Sequence, residues 1–267
     1  MRPLAVIGHL SRDVVAGGEP RIGGGPWHAA RALRALGENA VLLAKCGEPE
    51  RRRFRHELAT TGLVTSLSLG GETTAFSMSY DEQGVRTMIV EAVGEPWRAS
   101  EVPPELLHGI EWLQVVPLLS SDFDADTLEQ LARGRRILLD GQGLVRVPKT
   151  GPLTLDADYD PDVLRHVAIL KLGDDEARAI VGDAELESLA SLGVPEVIVT
   201  FGLEGSLVLA RETATRVPAR AVHVDPTGAG DAFAAAYLVA RAARHAPVSA
   251  ARRATSVVSA LLNGSVR

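Results

Sequence analysis

The sequence predicts an α/β protein in which helices cover both faces of a mostly parallel β-sheet. Short apolar runs rich in β-branched residues alternate with longer amphipathic stretches, which is the pattern of strands joined by crossover helices. The runs are continuously apolar, as expected of strands that are buried on both faces. A chain of 267 residues, 46% of them hydrophobic, is long enough to form one large unit of this kind.

The predicted elements alternate along most of the chain. The strands are short and apolar and comprise residues 4–8, 41–45, 112–116, 137–140, 168–172 and 197–200. The helices are longer and amphipathic and comprise residues 27–36, 49–60, 124–133, 174–181, 186–192, 229–244 and 249–263. Because no repeat and no linker interrupts the alternation, we expect a single domain over residues 1–267.

Two regions depart from this alternation. Residues 13–22 are Gly-containing and are neither clearly a helix nor a core strand, whereas residues 74–90 have the pattern of a β-hairpin. In the hairpin, apolar residues alternate with small or polar ones up to a turn at residues 81–84; they are Phe76, Met78 and Tyr80. A hairpin that projects from an α/β core cannot bury both of its faces, so we expect it to cover a ligand cleft or a partner subunit. We therefore predict small β lid elements at about residues 13–22 and 74–91.

Composition and charge exclude several classes of protein. The net charge of −6 argues against a nucleic-acid partner, which usually requires a basic surplus. No apolar run approaches the roughly 18–20 residues of a membrane span, and the first apolar run is too short for a secretory signal. Cys46 is the only cysteine, which excludes a disulfide framework and a cysteine-based metal site. We expect a cytoplasmic protein with no membrane partner.

The most informative segment is Asp225-Pro226-Thr227-Gly228-Ala229-Gly230-Asp231, a Gly-rich turn that opens into an Ala-rich helix. The unpaired N–H groups at the start of a helix, together with the helix dipole, form an anion site that glycines leave accessible to a phosphate. A carboxylate such as Asp231 would repel a phosphate that is merely bound. A carboxylate at this position is explained if Asp231 is a base that accepts the proton of an attacking hydroxyl. For an isolated Gly-Ala-Gly-Asp, a helix cap is the alternative. Asp225 is interpreted as structural.

This string resembles the signature of the ribokinase-like (PfkB-type) carbohydrate kinases, and further motifs follow in the order typical of that family. They cover the first strand with its sugar-binding aspartate, the Gly-Gly segment before the first long helix, the metal-associated motif and the turn beside the nucleotide. In this chain they are Ile7-Gly8-His9 with Asp13, Gly23 to Ala30 with Leu36-Gly37, Lys171 to Glu176, and Thr200-x-Gly202-x-x-Gly205. The run from Asp140 to Arg146 is similar to one found in a short-chain branch related to inositol and sugar kinases.

The resemblance implies a three-layer α/β/α ribokinase-like core with a small β lid, and transfer of a phosphoryl group from ATP to a small sugar or polyol. It implies that Asp231 is the catalytic base and that the amides of Gly228, Ala229 and Gly230 form the anion hole. The residues implied to bind ATP are Thr200, Gly202, Gly205 and Thr227. Those expected at the acceptor are Asp13, Gly23, Gly24, His28, Gln142 and Arg146. Mg²⁺ is expected with ATP, near Glu176 and Asp174 and mostly through water.

Two positions depart from the family pattern. Gly173 replaces the asparagine of the metal motif, so Asp174 and Asp175 either restore oxygen ligands or simply begin a charged helix. His28 stands where the family usually has asparagine, which affects the expected acceptor more than the expected reaction.

Alternatives remain within and outside the kinase reading. P-loop and dinucleotide-binding motifs are absent from the sequence, which disfavours those two classes. A nucleoside is the rival acceptor, because four side chains offer apolar surface for a base: Trp27, Phe76, Met78 and Trp97. A catalytically idle ligand-binding or regulatory protein with a kinase fold is the alternative from another class; Gly173 favours it and Asp231 opposes it. We also predict that the lid hairpin pairs two subunits in a homodimer.

Overall fold

The computed structural model describes residues 4–80, 86–182, 185–219 and 227–263. The strands are β1 (Leu4–His9), β2 (Ser11–Val15), β3 (Arg21–Gly23), β4 (Val41–Cys46), β5 (Val64–Leu69), β6 (Thr74–Tyr80), β7 (Arg86–Ala92), β8 (Trp112–Val116), β9 (Arg136–Asp140), β10 (Gly151–Pro152), β11 (Val167–Gly173), β12 (Glu196–Thr200), β13 (Ser206–Ala210) and β14 (Thr213–Val217). The helices are α1 (Gly25–Ala35), α2 (Arg51–Ala59), α3 (Ala125–Ala132), α4 (Gln142–Val145), α5 (Asp174–Val181), α6 (Leu186–Ala190), α7 (Ala229–Ala242) and α8 (Pro247–Leu262). Every strand and helix predicted for the core is present, with its ends shifted by no more than two residues.

The main sheet has nine strands in the order β14-β13-β12-β11-β9-β8-β1-β4-β5. The strands from β12 to β5 are parallel, and β13 and β14 extend the sheet as an antiparallel pair. The carboxyl ends of the parallel strands therefore meet at one edge, which is where ligands bind in open α/β sheets.

Helices cover both faces of this sheet because side chains along each strand alternate between the faces. In β1, Val6 packs into the cluster formed with α1, α2, α7 and α8, whereas Ala5 and Ile7 pack into the cluster formed with α3, α5 and α6. All three side chains are fully buried. The mostly parallel three-layer α/β/α architecture predicted from the sequence is confirmed.

A second, smaller sheet has the order β10-β7-β6-β2-β3 and contains the two regions for which lid elements are expected. The chain leaves the main sheet at Leu10, between β1 and β2, so the two sheets share a continuous stretch of backbone. The inner face of the small sheet includes Phe76 and Met78 and packs against Leu118 and Leu119, which follow β8. The hairpin turn expected at residues 81–84 lies outside the described residues.

Outside the expected lid regions, four strands and one short helix of the described residues were not predicted; they are β5, β10, β13, β14 and α4. β13 and β14 are joined by Arg211 and Glu212, both with positive φ, so the tight turn lacks the glycine or asparagine that usually marks it. β5 is only partly buried and interrupted by polar residues, and α4 is a single turn. No helix in the described ranges is long and apolar enough to cross a membrane.

Candidate active site

Two adjoining clefts open where the carboxyl edge of the main sheet meets the small sheet. The inner cleft, of about 90 Å³, is lined by Ser11, Asp13, Gly24, Gly25, His28, Phe76, Met78, Met88, Leu118, Gln142, Arg146, Thr227, Gly228 and Asp231. The outer cleft, of about 910 Å³, is lined by Thr87, Met88, Arg146, Pro152, Leu153, Leu155, Gly173, Asp174, Asp175, Glu176, Arg178, Thr200, Phe201, Gly202, Glu204 and Arg216. Arg146 and Met88 line both clefts, so the two spaces are contiguous.

The amino terminus of α7 forms part of the wall of the inner cleft. Its first intrahelical bond joins the Ala232 N–H to the Gly228 carbonyl at 3.0 Å, so the helix itself offers no partner to the amides of residues 229–231. Gly228 has φ +78°, and a Cβ added there would lie 2.1 Å from Nδ1 of His28. Only glycine therefore allows both this turn and the contact with His28. The free amides and the helix dipole make this end of α7 suited to an anion.

Asp231 lies in the first turn of α7, with its carboxylate toward the inner cleft. A Cβ added to Gly25 would lie 3.1 Å from Oδ1 of Asp231, so α1 approaches this carboxylate through backbone alone. Gln114, a fully buried side chain of β8, donates from Nε2 to the Asp231 carbonyl at 3.3 Å. Asp231, the base predicted from the sequence, is thus contacted by α1 at its carboxylate and by β8 at its backbone carbonyl.

A buried ion pair lies beside this helix end. Nζ of Lys171 is 3.0 Å from Oδ2 of Asp140, and both side chains are almost completely buried. Oδ1 of Asp140 accepts a hydrogen bond from the Gln142 N–H at 3.2 Å. Asp140 and Lys171 are not among the site residues expected from the sequence. A lysine within the apolar run of β11 is the signal that could have found the pair, because lysine is almost never fully buried unless it is paired.

These charges shift the pKa of Asp231. Burial and repulsion by Asp140 and Glu176 raise its pKa, the cations Lys171 and Arg146 oppose the shift, and the net result is a pKa of about 7. Burial alone would lower the pKa of Lys171, but attraction to the neighbouring carboxylates outweighs burial and the pKa is raised. At neutral pH, Lys171 is therefore charged and Asp231 is close to its midpoint.

The residues expected at the acceptor are brought together, with one exception. Asp13, Gly24, His28, Gln142 and Arg146 line the inner cleft. Gly23 is not among its lining residues. A Cβ added there would lie 2.0 Å from Oδ2 of Asp13, so Gly23 makes room for that carboxylate from behind.

The residues expected at ATP are more dispersed. Thr200 and Gly202 line the outer cleft, and Thr227 lines the inner one. Gly205 lines neither; a Cβ added there would lie 2.1 Å from the Val217 carbonyl oxygen, so the position is explained by the packing of β13 against the end of β14. The hydroxyl of Thr200 donates to the Leu172 carbonyl at 3.1 Å.

The outer cleft carries charges of both signs. Its cations are Arg146, Arg178 and Arg216, the last of which lies over the Phe201 ring at 5.3 Å. Its carboxylates lie mainly at the start of α5, where Oε2 of Glu176 accepts the Gly173 N–H at 2.6 Å and caps the helix.

The acidic start of α5 fits a magnesium ion held mainly by phosphate oxygens and water. Carboxylate oxygens are ligands that Mg²⁺ prefers. However, Oδ2 of Asp174 is paired with Arg178 at 2.7 Å, and Oε1 of Glu176 lies 3.9 Å from Arg146. Among the described residues, no group of three or more His, Cys, Asp or Glu side chains is arranged to hold a metal ion.

The apolar surface expected for a nucleobase is only partly present. Phe76 and Met78 line the inner cleft, but Trp97 is 1% exposed and stacks on Phe123 with ring centroids 6.3 Å apart. Trp27 packs against the helical core instead. The expectation was therefore wrong for both tryptophans. Asp225, interpreted as structural, lies outside the described residues.

Comparison with known proteins gives consistent matches along the chain. The profile of the pfkB family of carbohydrate kinases matches residues 11–263. A fructokinase from Klebsiella pneumoniae is 28% identical over 291 aligned positions, which cover 98% of this chain and 91% of the relative. A cytidine kinase from Thermococcus kodakarensis is 26% identical, with 89% of this chain and 88% of the relative covered.

A solved structure with a similar fold is described as a pyrophosphate-dependent kinase in the ribokinase family, complexed with a pyrophosphate analog and myo-inositol. It superposes with a TM-score of 0.83 and is 25% identical, and the match covers 97% of this chain and 95% of that chain.

Proposed function

The chain belongs to the pfkB family of carbohydrate kinases, and on that basis we propose that it transfers the γ-phosphoryl group of ATP to a hydroxyl of a small sugar or polyol. The observation that carries this proposal is the position of Asp231. Its carboxylate faces a polar cleft at the very helix end that is suited to a phosphoryl group. The family and its ribokinase-like fold are those that the sequence predicts.

In the proposed reaction the acceptor occupies the inner cleft and the donor occupies the outer one. Asp13, His28 and Gln142 orient the acceptor by hydrogen bonds to its hydroxyl groups. Asp231 accepts the proton of the attacking hydroxyl while a new O–P bond forms and the bond from phosphorus to the leaving oxygen breaks. The amides of Gly228, Ala229 and Gly230 stabilise the charge on the transferred group, as does Arg146 at the junction of the clefts.

The outer cleft is where the donor's Mg²⁺ would be held. When bound, the ion neutralises charge on the donor phosphates. Asp174 and Glu176 would hold it through water, since both already have partners at the start of α5. Thr200 and Gly202 would contact the donor in the outer cleft, and Thr227, which lines the inner cleft, would contact the phosphoryl end of the donor. Gly205 would act only through the packing of β13 and β14.

A nucleoside is the second candidate acceptor, and one observation favours it. The inner cleft has an apolar wall formed by Phe76, Met78, Met88 and Leu118, against which a base could pack, and one relative is a cytidine kinase. The polar side of the cleft favours a polyol, because Asp13, His28 and Gln142 offer more hydrogen-bonding groups than a ribose alone requires.

Pyrophosphate is the second candidate donor. The outer cleft has three arginines, and its one aromatic ring among the described residues, Phe201, is already covered by Arg216. A cleft with three arginines, whose one ring is already in contact with Arg216, suits a bare phosphate chain as well as it suits a nucleotide. The solved relative noted above uses pyrophosphate.

The test is a matrix of donors and acceptors with the purified chain and Mg²⁺. ATP and pyrophosphate are each combined with fructose, myo-inositol and cytidine, and the phosphorylated product is detected by mass spectrometry. We expect one donor and a sugar or polyol to give product, and Asp231→Asn to lower turnover by about 10²–10⁴-fold for loss of a general base, with little change in donor affinity.

The outcomes separate the alternatives. Preferential phosphorylation of cytidine would replace the polyol by a nucleoside. Binding of ligands without product in every combination would favour the catalytically idle protein. Equal turnover by the parent and Asp231→Asn would remove Asp231 as the base. We further propose that residues 1–267 form one kinase domain in which the small sheet is the lid, and the cytoplasmic location stays a prediction.

A further inference from the structure

We propose that Lys171, held by Asp140, is a positioning residue for phosphoryl transfer. Its ammonium group supplies a fixed positive charge beside the amino terminus of α7. The proposal rests on the function proposed above and adds two residues to it. Neither residue lies in the inner or the outer cleft, so both would act through the helix end and through Asp231 rather than by touching the substrate.

The first observation is the contact between Lys171 and the backbone of α7. A Cβ added to Gly230 would lie 3.0 Å from Nζ and 3.5 Å from Cε of Lys171. The glycine at position 230 therefore gives the ammonium group access to the first turn of the helix. The positive charge lies close to the amides that are suited to the phosphoryl group, and it adds to the positive end of the helix dipole.

The second observation is the balance of charge around Asp231. The carboxylates of Asp140 and Glu176 repel that of Asp231, and the cations Lys171 and Arg146 attract it. Lys171 is only 6% exposed, so solvent screens its charge poorly. A buried cation that does not have to reorganise during the reaction is an effective stabiliser of developing negative charge.

The third observation distinguishes this pair from one that serves the fold alone. Asp140 binds Lys171 through Oδ2 and the Gln142 N–H through Oδ1, and Gln142 lines the inner cleft. The Asp140 carboxylate therefore connects Gln142, in the wall of the inner cleft, with the Lys171 ammonium group near Asp231. A buried ion pair is otherwise weak support for stability, since apolar replacements are often neutral or stabilising.

The effect of each charge on Asp231 has a defined sign. Without Lys171, only Arg146 opposes the repulsion by Asp140 and Glu176, so Asp231 takes up its proton at a higher pH. Without the charge of Asp140, Asp231 loses its proton at a lower pH. Among the described residues, His28 packs against Gly228 from α1, and Asp13 lines the same cleft.

The test uses the full chain and the charge-neutral pair of substitutions Lys171→Met with Asp140→Asn, beside each single variant. The single Lys171→Met leaves Asp140 buried without its partner and tests folding as much as function, so the double variant is decisive. The matched control is Arg241→Met with Glu196→Gln, which removes another buried ion pair, joined at 3.0 Å, near the far end of α7.

Two readouts are measured. In donor-saturated turnover, we expect the double variant to remain folded and to lose about 10²–10³-fold in kcat with KM for the acceptor little changed, as for removal of an electrostatic stabiliser. In the single variants, the acid limb of the pH–rate profile should move up for Lys171→Met and down for Asp140→Asn. The control pair should keep the parental kcat and acid limb.

The second readout does not depend on activity and separates the failure of this proposal from the failure of the kinase function. Inorganic phosphate is titrated against the parent and both double variants by thermal shift. We expect about tenfold weaker phosphate binding in the Lys171 double variant only. If the parent is an active kinase, a double variant with the parental kcat would overturn the proposal. If the parent shows no turnover, a double variant with the parental phosphate affinity would overturn it.

Discussion

At the scale of single residues, the surroundings of Asp231 account for the chemistry that the site can perform. A carboxylate in water has lost its proton well below neutral pH and is a weak base. Burial and the neighbouring Asp140 raise the pKa of Asp231 to about 7, which matches the proton affinity of a base working near neutrality. The nearby cations Lys171 and Arg146 favour the ionised carboxylate and keep the pKa from rising further.

This pKa predicts the pH dependence of activity. Asp231 must be ionised to accept a proton, so kcat/KM should rise as the pH increases through about 7 and level off above it. The profile is measured with saturating donor and a non-titrating acceptor between pH 5 and 9, values chosen to bracket the raised pKa. A profile that is flat down to pH 5 would contradict the assignment of the base.

The same shift has a consequence for stability, which is measured by urea unfolding. Because the pKa of Asp231 is higher in the folded chain than in the unfolded one, its favourable contribution is present at low pH and is lost as the pH rises through about 7. Asp231→Asn should therefore be more stable than the parent at pH 8, by about 1–2 kcal/mol after allowance for partial exposure, and this gain should disappear at low pH.

At the scale of elements, the amino end of α7 depends on close contacts made through glycine. Gly228 turns the chain with a positive φ while His28 packs against its Cα, and Gly230 admits the Lys171 side chain. The proposed anion site thus depends on three elements, α7 with α1 and β11, and not on the Gly-rich segment alone.

This contact predicts different effects for two alanine substitutions at glycines of similar conformation. Gly62 has φ +71° with nothing within 4 Å of an added Cβ. The free energy of unfolding of Gly62→Ala should therefore fall only by the roughly 1–2 kcal/mol that the left-handed conformation costs alanine. Gly228→Ala, at φ +78°, has the same strain and must also displace His28. We expect Gly228→Ala to lower kcat at least tenfold and Gly62→Ala to leave it unchanged.

Turnover and urea unfolding of the two variants check this prediction together. Equal losses of stability with equal, parental kcat would show that the contact between Gly228 and His28 has no role in the site.

At the scale of the whole molecule, the relation between the two sheets determines how the inner cleft is enclosed. The small sheet lies over the inner cleft through Phe76, Met78 and Met88 and contacts the core at Leu118. On its opposite face Ile89, which is paired with Ser77 and not with Phe76 or Met78, is 38% exposed. We expect a partner subunit to pack at this exposed apolar position.

The homodimer predicted from the hairpin is tested by light scattering. We expect the mass of two chains in solution, and we expect Ile89→Lys, on the outer face of the small sheet, to give the mass of one chain without loss of fold. The control is Val64→Lys, a similarly exposed apolar position on the edge strand β5. A parent with the mass of one chain would remove the dimer and leave the role of the small sheet as a lid unaffected.

The sequence by itself determined the order and type of the core elements, because continuous apolar runs and amphipathic stretches depend only on local spacing. It also pointed to residues 225–231, since a Gly-rich turn before a helix is a local signal for an anion site. It failed where the signal was not local or not typical, as at the glycine-free turn between β13 and β14 and at the two tryptophans expected beside a nucleobase.

The tertiary structure alone decided which charges surround Asp231. Asp140 and Lys171 lie 31 residues apart in the chain and pair only because β9 and β11 are neighbours in the sheet. Their contact with the start of α7 depends on the packing of that helix over the same sheet. The pKa of a buried group is set by such long-range neighbours and by burial, and neither can be obtained from local sequence spacing.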